Sequence, residues 1–296
     1  MFSGSLVAMI TPFRDGQIDE PRLRDAVEFH VRNGTNGLVP CGTTGESVTM
    51  TEEEQLRVIS IVVETVAGRL PVVAGTGTND TAKTIKLTKK ARDIGATGAL
   101  VVTPYYNKPT PEGLFRHYEA IATATDLPIV MYNVPSRTSV NMLPETVARL
   151  ARIPTIVGIK EASGSIDQSS QIVASCPSDF VVLSGDDSLT LPIMSVGGVG
   201  VISVVANITP RPVSDMVAAF RDGDARRAQR IHIELFDLCR AMFYETNPIP
   251  VKTAAGILGL CSDELRLPLC PMSDGNRKKL EEALAASPHT SAVAAR

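Results

Sequence analysis

Residues 156–164 read IVGIKEASG. Ile156, Val157, Gly158 and Ile159 carry no polar side-chain atom, and they run directly into Lys160 and Glu161. A short apolar run of this kind marks a strand buried on both faces, as in a parallel sheet. Lysine is seldom buried unless paired, so a lysine closing such a strand needs a reason. Similar runs recur along the chain: LVAMITP (6–12), GLVP (37–40), PVVAGT (71–76), GALVVTP (98–104), PIVMYN (128–133), TIVGIK (155–160), DFVVLSG (179–185) and VGVISVV (199–205). Amphipathic stretches lie between them. Glu52 to Val66 is opened by Thr51 with Glu54 three residues on, a capping-box pattern. Thr81 to Ile94 keeps Ile85, Leu87, Ala91 and Ile94 on or near one face.

Strands alternating with helices predict a parallel sheet with helices outside. Eight such units predict closure into an α/β (β/α)8 TIM barrel over residues 1–223. A doubly wound open sheet fits less well. No G-x-G-x-x-G follows a strand, GTGTND at 75–80 lacks the third glycine, and no G-x-x-x-x-G-K-[ST] occurs. Helical stretches near 210–221, 224–243, 249–259 and 275–286 exceed what the eighth unit needs. They predict a C-terminal helical extension over 224–296, whose tail SPHTSAVAAR is expected to fray.

Composition excludes several function classes. Of 296 residues 44% are apolar, enough for a sizeable core. The net charge is −3, and Glu52-Glu53-Glu54 and Arg277-Lys278-Lys279 read as solvated helix faces, so no nucleic-acid partner is expected. Five cysteines, odd in number and without C-x-x-C, predict free thiols in a reducing compartment. The start MFSGSLVAMITPF lacks the basic and apolar regions of a signal peptide. No stretch approaches the ~20 apolar residues of a membrane span. A cytoplasmic setting without membrane contact is expected. The four histidines are scattered and no metal-ligand spacing occurs, so no metal is expected. Cys41 has no strand-end histidine, which argues against a Cys–His nucleophile.

A barrel places function where its strands end. Those ends are Thr11-Pro12, CGTTGES (41–47), Gly75-Thr76-Gly77 with Asn79, PYYN (104–107), YNVPSRT (132–138), Lys160, SGDD (184–187) and Ile202-Ser203. On the residues alone, Lys160 is either a lysine snorkelling to the rim or a desolvated amine able to attack a carbonyl. Schiff-base chemistry also needs a proton shuttle, and Tyr132 closes the neighbouring strand. GTTGE is either a plain glycine turn or a loop of hydroxyls and N–H groups for a small carboxylate. Arg137 is either a surface residue or a planar fork for a second carboxylate.

The motifs GTTGES, GTG-N, VTPYYNKP, YNVPSRT, GIKEASG, LSGDD and NPIPVK, in this order, resemble the 4-hydroxy-tetrahydrodipicolinate (dihydrodipicolinate) synthase family over roughly residues 1–286. That family belongs to the pyruvate-dependent class I aldolase superfamily, which includes N-acetylneuraminate lyase. The resemblance implies a lyase of the diaminopimelate–lysine pathway. Lys160 would form a Schiff base with pyruvate, and the enamine would attack L-aspartate 4-semialdehyde. Tyr132, Thr43 and Tyr106 would relay protons, Tyr106 by reaching into a neighbouring subunit. Thr44 and the main chain at Ile202 would hold pyruvate beside Gly185, and Arg137 would bind the aldehyde's carboxylate. No metal or cofactor is implied, the lysine acting as electron sink. The assembly would be a homo-oligomer, a tetramer built as a dimer of dimers.

The family's lysine-effector positions match Ser47, Val48, Gln55, Asn79, Lys83 and Tyr105. Gln55 replaces a histidine of the feedback-sensitive pattern and Lys83 a glutamate, so weak or absent inhibition by L-lysine is expected. Two alternatives remain at this stage: a related aldolase acting on a 2-keto-3-deoxy sugar acid, and a barrel that only binds pyruvate-like acids or a partner.

Overall fold

The structure, a computed structural model, describes residues 2–290. Eight parallel strands run β1 (Gly4–Ala8), β2 (Gly37–Val39), β3 (Val73–Gly75), β4 (Gly98–Val102), β5 (Ile129–Asn133), β6 (Ile156–Glu161), β7 (Val181–Ser184) and β8 (Gly200–Ser203). Their order around the sheet is β2-β1-β8-β7-β6-β5-β4-β3. The end strands β2 and β3 meet through a parallel bridge between Leu38 and Val72. Leu38 N donates to Pro71 O and Gly75 N donates to Pro40 O, each at 2.9 Å, which closes the sheet into the expected barrel. Every predicted run contributes one strand. The first lies earlier than its apolar run suggests, because the ladder ends at Ala8 while Met9, Ile10, Thr11 and Pro12 stay buried. There Ile10 N turns to the side chain of Asn207 at 3.0 Å.

Outside the strands lie α1 (Glu20–Arg32), α2 (Glu52–Val66), α3 (Thr81–Ile94), α4 (Pro111–Ala124), α5 (Pro144–Leu150), α6 (Ile166–Ser175), α7 (Thr190–Ser195) and α8 (Pro210–Arg221). The capping box of α2 forms: Thr51 Oγ1 accepts from Glu54 N at 3.2 Å, and the Glu54 carboxylate accepts from Thr51 N at 2.9 Å. Inside the barrel Leu6, Val39, Val73, Leu100, Val130, Leu183 and Ile202 fill the interior beneath Tyr132. A filled barrel leaves only the rim for chemistry.

The C-terminal helices are α9 (Ala225–Ala241), α10 (Ile249–Ile257) and α11 (Asp274–Ala286). They are tied to the barrel rim by a buried ion pair. Lys252 of α10 donates to Glu46, in the loop after β2, at 2.6 Å, and their side chains are 0% and 1% exposed. Lys252 also donates to Glu264 O at 2.6 Å, and its ammonium sits 4.1 Å from the centre of the Phe13 ring. The other Glu46 oxygen accepts from Arg266 N at 3.1 Å. Burial pushes the Lys252 ammonium below its ordinary range, and Glu46 beside it opposes that push. Phe13 lies in a two-residue hairpin with Ile18 and carries Arg266 on its ring as well.

Of the tail read as frayed, residues 287–290 fold back. Thr290 Oγ1 donates to Leu284 O at 2.6 Å, and His289 meets Glu234 at 3.0 Å. Residues 291–296 lie outside the described residues. Among the described residues no helix is long and apolar enough to cross a membrane.

Removing one partner of a buried pair strands the other charge, at a cost of about 3–5 kcal/mol. Lys252→Met is therefore expected to lower stability by about that amount in urea unfolding. The double variant Glu46→Gln, Lys252→Met is expected to recover much of it. An unfolding midpoint for Lys252→Met equal to that of the parent chain would show that the pair carries no such weight.

Candidate active site

The β5–β6 ladder sets Tyr132 directly opposite Lys160. Both side chains face the barrel axis at its C-terminal end. Lys160 is 4% exposed, and its Nζ lies 4.3 Å from the centre of the Tyr132 ring. Among the described residues this ammonium has no hydrogen-bond or ion-pair partner. It is thus the opposite of Lys252, which is also buried but fully engaged. Gly185 passes close over the lysine. A Cβ there would stand 3.1 Å from Lys160 Cε and 2.6 Å from Ala162 Cβ, so glycine is what the aliphatic arm of Lys160 leaves room for.

Next to Tyr132 opens a cavity of about 200 Å³ whose wall includes Thr43, Ser47, Val48, Tyr105 and Arg137. Its size suits a small molecule of few atoms. Thr43 reaches it from the loop after β2. Thr44 is turned inward, where its Oγ1 accepts from Asn247 Nδ2 at 3.0 Å. Arg137 stands on the helical turn Pro135–Thr138 after β5, its fork held by a 2.9 Å donation to Asn247 O. Ile202 is fully buried in β8, so only its main chain can meet a ligand. The turn after β8 is held by Asp187, which accepts from Ser203 Oγ at 2.5 Å and from Val204 N and Val205 N at 2.9 Å each. Burial raises the Asp187 carboxyl above the usual carboxylate range.

Tyr106 is not part of this chain's own cavity. It stands 90% exposed on the loop after β4 with φ +73°. A large exposed aromatic on a left-handed backbone is a costly arrangement in a monomer. Of the positions expected to hold an effector, Ser47, Val48 and Tyr105 border this same cavity. Gln55 spends its amide on Ser47 O at 2.8 Å and Met50 O at 3.3 Å. Asn79 O accepts from Asn107 Nδ2 at 2.8 Å, and Lys83 is exposed in the first turn of α3. Cys41 lines the cavity, but burial pushes its thiol up and Sγ points to Gln55 O at 3.4 Å, which makes it packing.

Asn247 escapes a reading of strand ends because it lies in the extension; Glu46 stands within CGTTGES, but that reading gives it no role. The NPIPVK segment, which holds both Asn247 and Lys252, was the available signal.

The dihydrodipicolinate synthetase family model matches residues 1–287. A relative from Geobacter sulfurreducens named 4-hydroxy-tetrahydrodipicolinate synthase is 58% identical over 280 residues, which is 95% of this chain and 97% of its own. The crystal structure of dihydrodipicolinate synthase from Aquifex aeolicus is 50% identical and superposes with a TM-score of 0.96 over 98% of this chain and 99% of that one. A chloride-inhibited dihydrodipicolinate synthase from Acinetobacter baumannii, solved in complex with pyruvate, is 43% identical with a TM-score of 0.96 over 98% of this chain and 100% of that one. This chain, a closed barrel with the buried Lys160 at its rim and matched along almost its whole length to these proteins, belongs to the dihydrodipicolinate synthetase family.

Proposed function

We propose that this chain condenses pyruvate with L-aspartate 4-semialdehyde, the 4-hydroxy-tetrahydrodipicolinate synthase reaction, through a Schiff base on Lys160. The observation that carries the reading is the buried Lys160 amine, without a partner among the described residues, set against Tyr132, whose ring lines the cavity. A desolvated lysine without an anion is a good nucleophile toward a carbonyl.

The amine attacks C2 of pyruvate, and the carbinolamine loses water to give an iminium. Loss of a C3 proton gives the enamine. Its C3 attacks the aldehyde carbon of the semialdehyde and forms the new C–C bond. The amino group of that substrate then attacks C2, closes the six-membered ring and displaces Lys160. One water and one proton leave overall. Tyr132 is the group placed to carry protons during carbinolamine formation and breakdown, with Thr43 the next hydroxyl on the cavity wall. Thr44, held by Asn247, and the main chain at Ile202 take the pyruvate carboxylate. Gly185 leaves space for the adduct. Arg137 takes the carboxylate of the semialdehyde, and its fork suits that planar anion.

Tyr106 acts in a neighbouring copy, completing that copy's relay, so the working unit is at least a dimer and in our reading a tetramer. The five thiols are free, and we infer a reducing, cytoplasmic setting for them. At the effector positions Lys83 presents an ammonium to an ammonium, and Gln55 is already bound to its own turn, so L-lysine is a weak inhibitor or none.

Arg137→Ala is expected to cut kcat/KM for the semialdehyde about 10- to 100-fold while leaving the pyruvate KM nearly unchanged. A sugar-acid aldolase would be little affected, and full semialdehyde activity in this variant would overturn the assignment of Arg137. In the same assay L-lysine should leave the rate unchanged through the millimolar range; a sub-millimolar inhibition constant contradicts this. Mixing unfolded Lys160→Met and Tyr106→Phe chains and refolding them together should restore about a quarter of wild-type activity, since half the dimers are mixed and each has one intact site. No recovery above the separate variants would place Tyr106 in its own subunit's chemistry or in none.

A further inference from the structure

Each catalytic side chain has a polar residue directly after it on the opposite face of the sheet: Asn133 follows Tyr132 and Glu161 follows Lys160. The two are in register, like the pair on the inner face. Asn133 is 0% exposed and Glu161 1%, and their partners come from the loop before α5, the loop after β6 and α6. Asn133 Nδ2 donates to the Glu161 carboxylate at 3.0 and 3.3 Å. Ser163 N donates to Glu161 Oε1 at 2.6 Å, and Gln168 Nε2 to Oε2 at 3.3 Å. Asn133 also bonds Asn141 Oδ1 at 2.8 Å, and its own Oδ1 accepts from Met142 N at 2.9 Å. Asn141 and Gln168 close the network with a reciprocal pair of bonds at 2.9 and 3.1 Å.

This is an unusual thing to bury. Among the described residues no cation pairs with Glu161, and a buried carboxylate is held only at the cost of desolvation unless hydrogen bonds replace its water. Apolar side chains would fill the same space under the helices more cheaply. What a network of directed bonds adds is geometry. It fixes the relative height and twist of two strand ends at the point where the ladder gives way to loops. A side chain on the inner face inherits that orientation, because alternate residues share one backbone pleat.

We infer that Glu161 and Asn133 are positioning residues: their buried hydrogen-bonded pair sets the separation and angle at which Lys160 and Tyr132 face each other. The inference rests on the reading of Lys160 and Tyr132 as the reacting amine and its proton shuttle. Neither positioning residue touches substrate. They act through the backbone of β5 and β6, and small misplacements of reacting groups are expensive in rate.

The test is the rate at which a borohydride-trappable pyruvate adduct accumulates, read together with kcat and the pyruvate KM. Glu161→Gln keeps the volume but turns one acceptor into a donor facing Asn133 or Gln168. It is expected to slow adduct formation and kcat together by about 10-fold or more, with the pyruvate KM changed far less. Exchanging the partners in Glu161→Gln, Gln168→Glu returns the acceptor to the network and is expected to bring the rate back to within about threefold of the parent. Glu161→Gln folded and within twofold of parental kcat overturns the inference, as does a loss in that variant confined to KM. Should Glu161→Gln not fold, Gln168→Met removes one donor to the Glu161 carboxylate together with both bonds to Asn141, and is expected to slow adduct formation about threefold at unchanged KM; an unchanged rate there overturns the inference equally. The parent chain run in parallel separates the two levels. An adduct in the parent with no effect in the variants defeats only the positioning role, and no adduct in the parent defeats the Schiff-base reading itself.

Discussion

Two charges, Glu46 and Lys252, meet at 2.6 Å where neither side chain reaches water. The arrangement of the rim depends on that contact. Glu46 ends the GTTGE loop with φ +54°, a backbone conformation that only a well-determined surrounding sustains. The loop presents Thr43 to the cavity and Thr44 to Asn247, and Asn247 in turn holds Arg137. Lys252 lies five residues beyond Asn247 on the same segment. The ion pair therefore anchors one end of a chain of contacts that runs from the extension to the loops carrying Thr43, Thr44 and Arg137. A barrel of eight strands could close without α9 to α11, but its GTTGE loop would lack the support that fixes its hydroxyls.

Two lysines are buried among the described residues, and their surroundings differ. Lys252 has a carboxylate, a carbonyl and an aromatic face, which together offset part of the cost of burying its charge. Lys160 has the face of Tyr132 and, among the described residues, no hydrogen-bond or ion-pair partner. A lysine engaged on all sides acts as a structural strut, whereas one with no hydrogen-bond or ion-pair partner keeps its amine available to a ligand, as the proposed Schiff-base role of Lys160 requires. The carboxylate nearest to Lys160 in sequence, Glu161, is kept on the far side of the strand and satisfied by neutral donors. The pleat thus keeps the adjacent carboxylate on the face opposite the amine.

Much of this was legible in the sequence. The eight apolar runs, the capping box at Thr51 and the position of Tyr132 beside Lys160 follow from periodicity and from the regular spacing of a barrel. Such features are local, or repeat. The rest depends on contacts between distant segments. Nothing in the order of residues says that Lys252 will find Glu46, more than two hundred positions away, or that Asn247 will join Thr44 to Arg137. The pleat predicts that Glu161 faces away from Lys160, but not that Asn133, Asn141 and Gln168 will be waiting there. Tyr106 shows the same limit. Its place at a strand end is readable, and its outward direction comes from a left-handed residue in a loop.

The contrast between the two lysines is open to one direct measurement. The intact protein is incubated with pyruvate, reduced with borohydride, digested, and every lysine-containing peptide is weighed. The account predicts one reduced adduct, on the peptide carrying Lys160, with Lys252 unmodified. An adduct on Lys252, or none on Lys160, would contradict it.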